Sequence, residues 1–400
     1  MIHSSYYQPS IIPVYGDLDK SEIDRCQDIT GAITLDRTKI EEIGRDGIVD
    51  WRTGIPAVSL TMRQLEYGSI DFWRKLSNKG DSVATILFTD FKTSLFDIAA
   101  YKTDDNATFL GTVWYKGMRI SGFGLNIGDP EALAERTFTL VGEDEINLLN
   151  NNKYLICKRY TAAGGLNETF TVNDPVPVAD PDYSGQYLLR VVRTRAGTSS
   201  ELTHGTEWSY DGVDTLTING LSIAGDVIRI WYSGSSYIGG GDYFIENDAD
   251  LAAIEANSCS IYLANSNYLY RLQSAAIDVT LDRYDIKEIG NNEVVARGVR
   301  GITARVTLGR ILETYTIEEI IRGKAGLNYG KLDIKKLSDN ISLIVKFYDN
   351  ADKTTFKMGY KITDLAPVGL DAGIPLNDYI SRGVTLEGEV GFITTDEGSL

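Results

Sequence analysis

The sequence predicts a mainly β protein: two copies of a β-sandwich or half-barrel module, each with one flanking helix, and a small β-sandwich inserted between them. Three observations lead to this prediction. An eleven-residue segment recurs 246 residues later, β-branched and aromatic runs surround one helical pattern in each copy, and the residues between the copies differ in composition.

The repeat organises the whole chain. Residues 34–44 read TLDRTKIEEIG and residues 280–290 read TLDRYDIKEIG, so eight of eleven positions agree. The correspondence continues at offsets of 245 to 247 residues, which indicates a duplication. It pairs Gly54 with Gly301, Gly124 with Gly369 and Arg136 with Arg382. The residues that define the repeat are Asp36, Arg37, Gly44 and Gly124 in the first copy, and Asp282, Arg283, Gly290 and Gly369 in the second.

Each copy contains one predicted helix of about ten residues. Ser69 and Thr316 are good N-caps, because a side-chain oxygen can accept a hydrogen bond from an unpaired amide of the first turn. Apolar residues then recur at helical spacing. Gly80 and Gly326 follow the helices, where glycine most easily adopts a left-handed cap.

The segments around each helix are predicted strands, because they are rich in β-branched and aromatic residues or alternate apolar with polar ones. An arrangement of strands, one helix and further antiparallel strands is typical of a small sandwich or half-barrel. The predicted strands are 57–61, 83–88 and 136–141 in the first copy, and 304–308, 341–348 and 382–386 in the second.

The sequence divides into a first module (1–160), an inserted domain (161–260) and a second module (261–400). The insert carries four arginines and fourteen acidic residues, a net charge of −10 out of −17 for the chain. Glycine clusters at 164–165 and 239–241 are predicted to act as flexible joints. The predicted strands 186–192, 215–218 and 226–232 indicate a compact, solvent-facing β-sandwich.

Several protein classes are excluded by the composition. The longest apolar runs are short beside the ~20 residues of a membrane helix. The N-terminus lacks the basic and apolar regions of a secretory signal. Cys26, Cys157 and Cys259 are too few and too far apart for a disulfide framework. Reduced thiols are therefore expected, and with them assembly in a cytoplasm.

No enzyme, cofactor or metal site is predicted. The chain has two histidines and none of the phosphate-loop, zinc-protease or serine-hydrolase motifs. Acidic pairs such as Glu41-Glu42 are interpreted as solvated faces, because carboxylates are seldom buried. We interpret Asp36-Arg37 and Asp282-Arg283 as a turn or a local ion pair in preference to a subunit contact, because exposed ion pairs contribute little. The repeated glycines are assigned to backbone geometry.

Residues 30–145 and 276–392 resemble the major tail tube proteins of tailed bacteriophages. The resemblance rests on the order strand, long loop, strand, capped helix and antiparallel strands, and on the closing strands that end in Gly142-Glu143 and Gly388-Glu389. It implies that six modules close a ring, so that three two-module chains form a pseudo-sixfold ring. It also implies a virion tail protein, assembled in the host cytoplasm, with the insert on the tube exterior.

The same resemblance implies the partners. They are the chain itself and the tape-measure, tail-terminator and tail-tip proteins, while double-stranded DNA passes through the lumen without sequence-specific binding. The inner wall should then lack phosphate-binding lysine and arginine. By position, the ring-stacking loops are 44–55 and 290–302. The stacking candidates are Arg45, Asp46, Trp51, Arg52, Asn291, Asn292, Arg297 and Arg300.

An alternative from another class is a β-sandwich adhesin that recognises a glycan or a receptor. It predicts a monomer or small oligomer with an exposed aromatic site in the insert, around Trp208, Tyr210 and Trp231. A hydrolase is a distant third, because no nucleophile–base pair can be named.

Overall fold

The structure is a computed structural model and is mainly β, as predicted. The described residues are 6–15, 21–34, 37–41, 48–53, 57–104, 109–129, 131–150, 154–172, 177–179, 187–234, 252–264, 267–269, 272–287, 294–311, 316–320, 340–373 and 381–400. Within them, no helix has the length and apolar character needed to cross a membrane.

The described residues of module 1 include eleven strands, one α-helix and the 3₁₀ helix Phe88–Lys92. They are β1 (Tyr6–Pro13), β2 (Ser21–Glu22), β3 (Cys26–Thr34), β4 (Arg37–Glu41), β5 (Ile48–Thr53), β6 (Ala57–Leu65), α1 (Asp71–Ser77), β7 (Thr85–Leu87), the 3₁₀ helix Phe88–Lys92, β8 (Phe96–Thr103), β9 (Phe109–Ile127), β10 (Glu135–Gly142) and β11 (Asp144–Leu148).

The insert and module 2 follow in order. The insert contains β12 (Tyr154–Thr161), β13 (Gly165–Leu166), β14 (Thr169–Thr171), β15 (Leu188–Arg195), β16 (Thr198–Glu201), β17 (Trp208–Tyr210), β18 (Thr215–Ile218), β19 (Leu221–Ser222) and β20 (Val227–Gly234). Module 2 contains β21 (Cys259–Leu263), β22 (Asn267–Tyr268), β23 (Leu272–Lys287), β24 (Val294–Ile311), α2 (Thr316–Ile320), β25 (Ile341–Tyr348), β26 (Phe356–Gly373), β27 (Ser381–Gly388) and β28 (Val390–Thr394).

The two modules have the same topology. In module 1 the antiparallel pairings run β3–β6–β10–β9–β8–β1–β2, and β11 pairs with β9. In module 2 they run β23–β24–β27–β26–β25–β21–β22, and β28 pairs with β26. The duplication inferred from the sequence is therefore also a duplication of strand order.

A pairing between β9 and β23 joins the two modules. It creates one antiparallel eight-stranded sheet, in the order β3–β6–β10–β9–β23–β24–β27–β26. The sheet's inner face contributes to a single hydrophobic core that includes residues of both modules, from Leu60 and Phe138 in module 1 to Val306 and Leu386 in module 2.

The strand register corrects part of the sequence alignment. Thr139 lies opposite Gly122, whereas Thr385 lies opposite Gly369, so the counterpart of Gly369 is Gly122 and not Gly124. The offset of 247 near Gly54 and Gly301 is also wrong, because it would equate exposed Ala57 with fully buried Ala304. A shift of one residue exchanges the two faces of a strand, so burial fixes the correct offset there at 246.

α1 is shorter than predicted, and the described part of α2 has five residues. α1 has seven residues, and its left-handed cap is Asn78 rather than Gly80. Ser69 precedes the N-cap residue Ile70, yet its hydroxyl still accepts a hydrogen bond from the Asp71 amide. The predicted strand 83–88 is a three-residue strand followed by the 3₁₀ helix. In module 2, Thr316 is the first residue of α2, and Gly326 lies outside the described residues.

The insert has its own sheet and core. Its four-stranded sheet, β12–β20–β15–β16, includes Tyr154–Thr161, which begins seven residues before the predicted boundary. Cys259–Leu263, near the other boundary, pairs with β25 of module 2. Of the predicted glycine joints, Gly165 lies in β13, and 239–241 lies outside the described residues.

The insert packs against module 1 through a separate apolar cluster. Trp231, Val192 and Leu155 of the insert contact a group from module 1 that includes Trp114 and Tyr101. Arg190 of the insert, 4% exposed, donates two hydrogen bonds of 3.2 Å to fully buried Asp97 of module 1. Burial of apolar surface stabilises the docked position, and the ion pair leaves neither buried charge without a partner.

Acid is expected to destabilise the insert. Buried Asp226 accepts hydrogen bonds from the Arg195 guanidinium, at 3.0 and 2.6 Å, which lower the pKa of Asp226. An aspartate with a lowered pKa stabilises the fold above the ordinary pKa of about 3.9, and this stability is lost as the pH falls through the folded value.

The wild-type chain should therefore lose more stability in urea between about pH 5 and about pH 3 than Asp226→Asn does, because the amide cannot titrate. Unfolding followed by near-ultraviolet circular dichroism measures this difference. An equal loss in both proteins would contradict the assignment.

Candidate assembly interface

The eight-stranded sheet ends in two open edges. Among the described residues, β3 pairs with β6 alone, and residues 366–373 of β26 pair with β27 alone. Unpaired amides and carbonyls along a sheet edge can pair with another strand. These two edges are the counterparts of the two strands, β23 and β9, that pair at the junction between the modules.

The internal junction supplies a template for what those edges can bind. Its register runs from Ala275 opposite Ile127 to Thr280 opposite Gly122. Six consecutive residue pairs join the strands, and the pairing is antiparallel. Between two chains, β26 of one would meet β3 of the other. Because β26 is the counterpart of β9 and β3 is the counterpart of β23, the same pairing can form there.

An arginine reinforces the junction. Arg283 of module 2 donates hydrogen bonds to the carbonyl oxygens of Ile120 and, at 2.7 Å, of Phe91 in module 1. The prediction of a local turn or ion pair is therefore wrong for Arg283. Burial, with Arg119 and Arg297 nearby, lowers the pKa of Arg283 to about 10, so the guanidinium stays charged near neutral pH. Asp282, the other residue of this Asp-Arg pair, is exposed.

Two glycines of β9 permit the close approach of β23. A Cβ atom added at Gly122 would lie 3.0 Å from the Val279 carbonyl oxygen, and one at Gly124 would lie 3.0 Å from Asp278 Oδ1. The predicted role of Gly124 in backbone geometry is thus a role at the junction. At Gly369 the nearest atom would be Cβ of Thr385, at 3.6 Å, an ordinary contact.

Apolar side chains at the open edges lack the cover that their counterparts have. Ile33, near the end of β3, is 46% exposed, whereas its module 2 counterpart Val279 is 1% exposed. Val279 is covered because β9 lies beside its strand. Val368, on the opposite edge, is 55% exposed. Apolar surface at an open sheet edge is typical of an interface with another chain.

The outer face of the sheet is the one that points away from the hydrophobic core. Its side chains are mostly small and polar, and its acidic and basic residues roughly balance. One transverse row contains five threonines and a glycine, in the order Thr30, Thr61, Thr139, Gly122, Thr280 and Thr303. In the next row Asp28 lies beside Arg63, and after the uncharged Thr137 and Gly124 come Asp278, Arg305 and Glu387. This face carries few cations that could hold a phosphate backbone.

The described stacking candidates lie on strands of two hairpins, β4–β5 and β23–β24. Trp51 and Arg52 are on β5, whereas Arg45, Asp46, Asn291 and Asn292 lie outside the described residues. Residues 294–302, predicted as loop, belong to β24. Arg297 donates to the Gly142 carbonyl oxygen and is paired with Asp285, so its contacts are within the chain. Arg300 is exposed, with its guanidinium 5.1 Å from the Tyr284 ring.

The other repeat-defining residues are only partly visible. Asp36, Gly44 and Gly290 lie outside the described residues, and Arg37 is on β4. The β4–β5 and β23–β24 hairpins place Arg37 opposite Thr53 and Arg283 opposite Val299. This correspondence extends the repeat into both hairpins.

The aromatic residues expected for an adhesin do not form an exposed site. Trp208 is 3% exposed and Trp231 is fully buried, each in an apolar cluster, while Tyr210 is partly buried. Within the described ranges, no group of three or more histidine, cysteine, aspartate or glutamate side chains is placed to hold a metal ion.

No protein-family model matches the chain, and no curated protein matches it.

Proposed function

We propose that the chain is a structural protein that joins with two further copies into a closed ring, and that such rings stack into the tail tube of a bacteriophage. Six modules then surround a lumen through which double-stranded DNA passes. The insert lies on the exterior, and tape-measure, tail-terminator and tail-tip proteins bind at the tube's interior and ends.

The observation that carries this proposal is the internal β9–β23 junction, because the same two strand surfaces recur, unpaired, at the outer edges. The chain has one such strand pairing inside it and one unmatched partner strand at each end, β3 and β26. Further copies can therefore add head to tail. Rotational closure leaves no open edge. The threonine-rich outer face supports its use as a lumen wall, because it offers little to bind DNA.

The template fixes the register between chains. With the offsets of 246 for β3 and 247 for β26, Thr34 lies opposite Gly369 and Ala32 lies opposite Asp371 of the neighbour. Directly opposite side chains are about 5 Å apart at Cβ. An Ala32→Cys/Asp371→Cys chain is therefore expected to form covalent dimers and trimers with a short thiol cross-linker.

The test combines this cross-linking with negative-stain microscopy of the full chain. Rings or tubes and a ladder ending at three chains are the expected results. The control is Ala32→Cys/Leu370→Cys, since a one-residue slip places the second thiol on the opposite face. Discrete monomers at high concentration, without cross-links, would overturn the proposal.

A further inference from the structure

A second contact crosses the module junction, separate from the β9–β23 pairing. β7 of module 1 pairs with β28 of module 2, with Leu87 opposite Phe392 and Ile86 opposite Ile393. The Thr395 amide donates to the Ala84 carbonyl oxygen at 3.0 Å. Module 1 thus adds a strand to the sheet that β28 forms with β26 and β25 in module 2.

The 3₁₀ helix that follows β7 fills the space beside that strand. Phe88 and Phe91 are 1% and 0% exposed. The Phe88 ring lies against Gly391 of β28 so closely that a Cβ atom at Gly391 would overlap it. Residues 85–91 of module 1, here called the plug, therefore cover β28 of module 2 with apolar side chains.

The corresponding place on module 1 is an open groove. β11 is the counterpart of β28, and in the described part of the chain it pairs with β9 alone. Between β11 and the edge strand β3 lies a groove of about 520 Å³, lined by residues that include Cys26, Asp28, Ile29, Tyr115, Glu145 and Asn147.

We infer that this groove receives residues 331–337 of a second copy of this chain. The inference rests on the proposed ring. At the repeat offset of 246, the counterparts of Ile86, Phe88 and Phe91 are Leu332, Ile334 and Leu337, so the apolar pattern of the plug recurs. These residues lie outside the described part of the chain. The template places Asn147 opposite Leu332.

Charge differs between the two junctions in a complementary way. Glu145 lines the groove of module 1 and Asp144 precedes it on β11, where module 2 has Gly391 and Val390. The larger residue Glu145 in place of Gly391 is matched by the smaller residue Ile334 in place of Phe88. The segment expected to enter it carries Lys331, Lys335 and Lys336 and one acidic residue, Asp333, where the internal plug has Thr85, Thr89, Asp90 and Leu87. The segment is therefore net positive. Acidic residues appear in the groove together with basic residues in its partner, as expected for a specific contact between chains.

Cross-linking tests the contact directly. A full-length Asn147→Cys/Leu332→Cys chain is expected to form covalent oligomers of up to three chains when rings are present, and Asn147→Cys/Asp352→Cys is the control, because exposed Asp352 has no predicted neighbour there. Rings by microscopy without this cross-link would overturn the inference and leave the proposed ring intact. Absence of rings would overturn both.

A charge exchange tests the partner's identity. Glu145→Lys should raise the concentration at which rings form about tenfold or more, because like charges then meet across the interface. Adding Lys335→Glu and Lys336→Glu should restore assembly, while Glu131→Lys, on another exposed position, should leave it unchanged. Light scattering against protein concentration measures both effects. Loss of assembly in Glu145→Lys without rescue would contradict residues 331–337 as the occupant.

Discussion

A Gly369→Val chain is expected to fold as a monomer and to lose ring assembly. In the isolated chain, a Cβ atom at Gly369 makes only an ordinary 3.6 Å contact with Thr385. A Cβ atom at Gly122, the counterpart of Gly369, would lie 3.0 Å from the Val279 carbonyl oxygen. In the proposed ring, the Ile33 carbonyl oxygen of the neighbouring chain takes the same position beside Gly369. Overpacking of this kind costs about 1–3 kcal/mol, or roughly five- to 150-fold in affinity at each junction.

Two matched substitutions accompany this experiment. Gly165→Val places the same side chain on β13 of the insert with no atom within 4 Å, so rings should form as in the wild type. Gly122→Val meets the clash inside the chain, so it should lower the melting temperature of the monomer. Light scattering and thermal unfolding measure the two effects. Normal assembly of Gly369→Val would show that β26 is not the edge that closes the ring.

Removal of the carboxylate at position 97 is expected to undock and destabilise the insert. Asp97→Ala leaves Arg190 buried against the Trp231 ring, 5.5 Å away, with the partly exposed Glu201 as its remaining ion-pair partner. Breaking a buried ion pair on one side costs about 3–5 kcal/mol. The loss should be visible in urea unfolding followed by tryptophan fluorescence.

The double variant Asp97→Asn/Arg190→Leu separates the charge from the packing, because the amide oxygen at position 97 can still accept the hydrogen bond from the buried Gly117 amide. Removing both charges of a buried ion pair together is often neutral, so most of the lost stability should return. Glu397→Gln, which removes the surface pair with Lys346, should change stability by less than about 1 kcal/mol. A similarly small effect of Asp97→Ala would mean that the apolar cluster alone holds the insert.

The repeat and the strands were accessible to sequence reasoning because both leave local patterns. Identical residues at a constant offset revealed the duplication, and β-branched runs located strands such as 341–348, which matches β25. The exact register was not accessible from identity alone. Gly124 and Gly369 share a motif, but β-bulges in the two modules shift the pairing so that Gly122 is the true counterpart.

The interface was only partly accessible for a related reason. The repeated Asp-Arg pair was visible, but its long-range contact depends on β23 lying beside β9, which no local pattern encodes. Ile33 is an ordinary strand residue in the sequence, and only its 46% exposure beside buried Val279 identifies it as an edge residue. The groove beside β11 requires the comparison of both modules in three dimensions.

The covalent link between the modules has a consequence for how quickly a ring could nucleate. The β9–β23 contact forms while a single polypeptide folds, at the high effective concentration of a tethered pair. In a trimeric ring, half of the six module contacts therefore carry no loss of translational freedom, a term of about 4–15 kcal/mol for each free encounter. In the proposed ring, fusion of two modules in one chain would thus lower the molecularity of closure from six bodies to three.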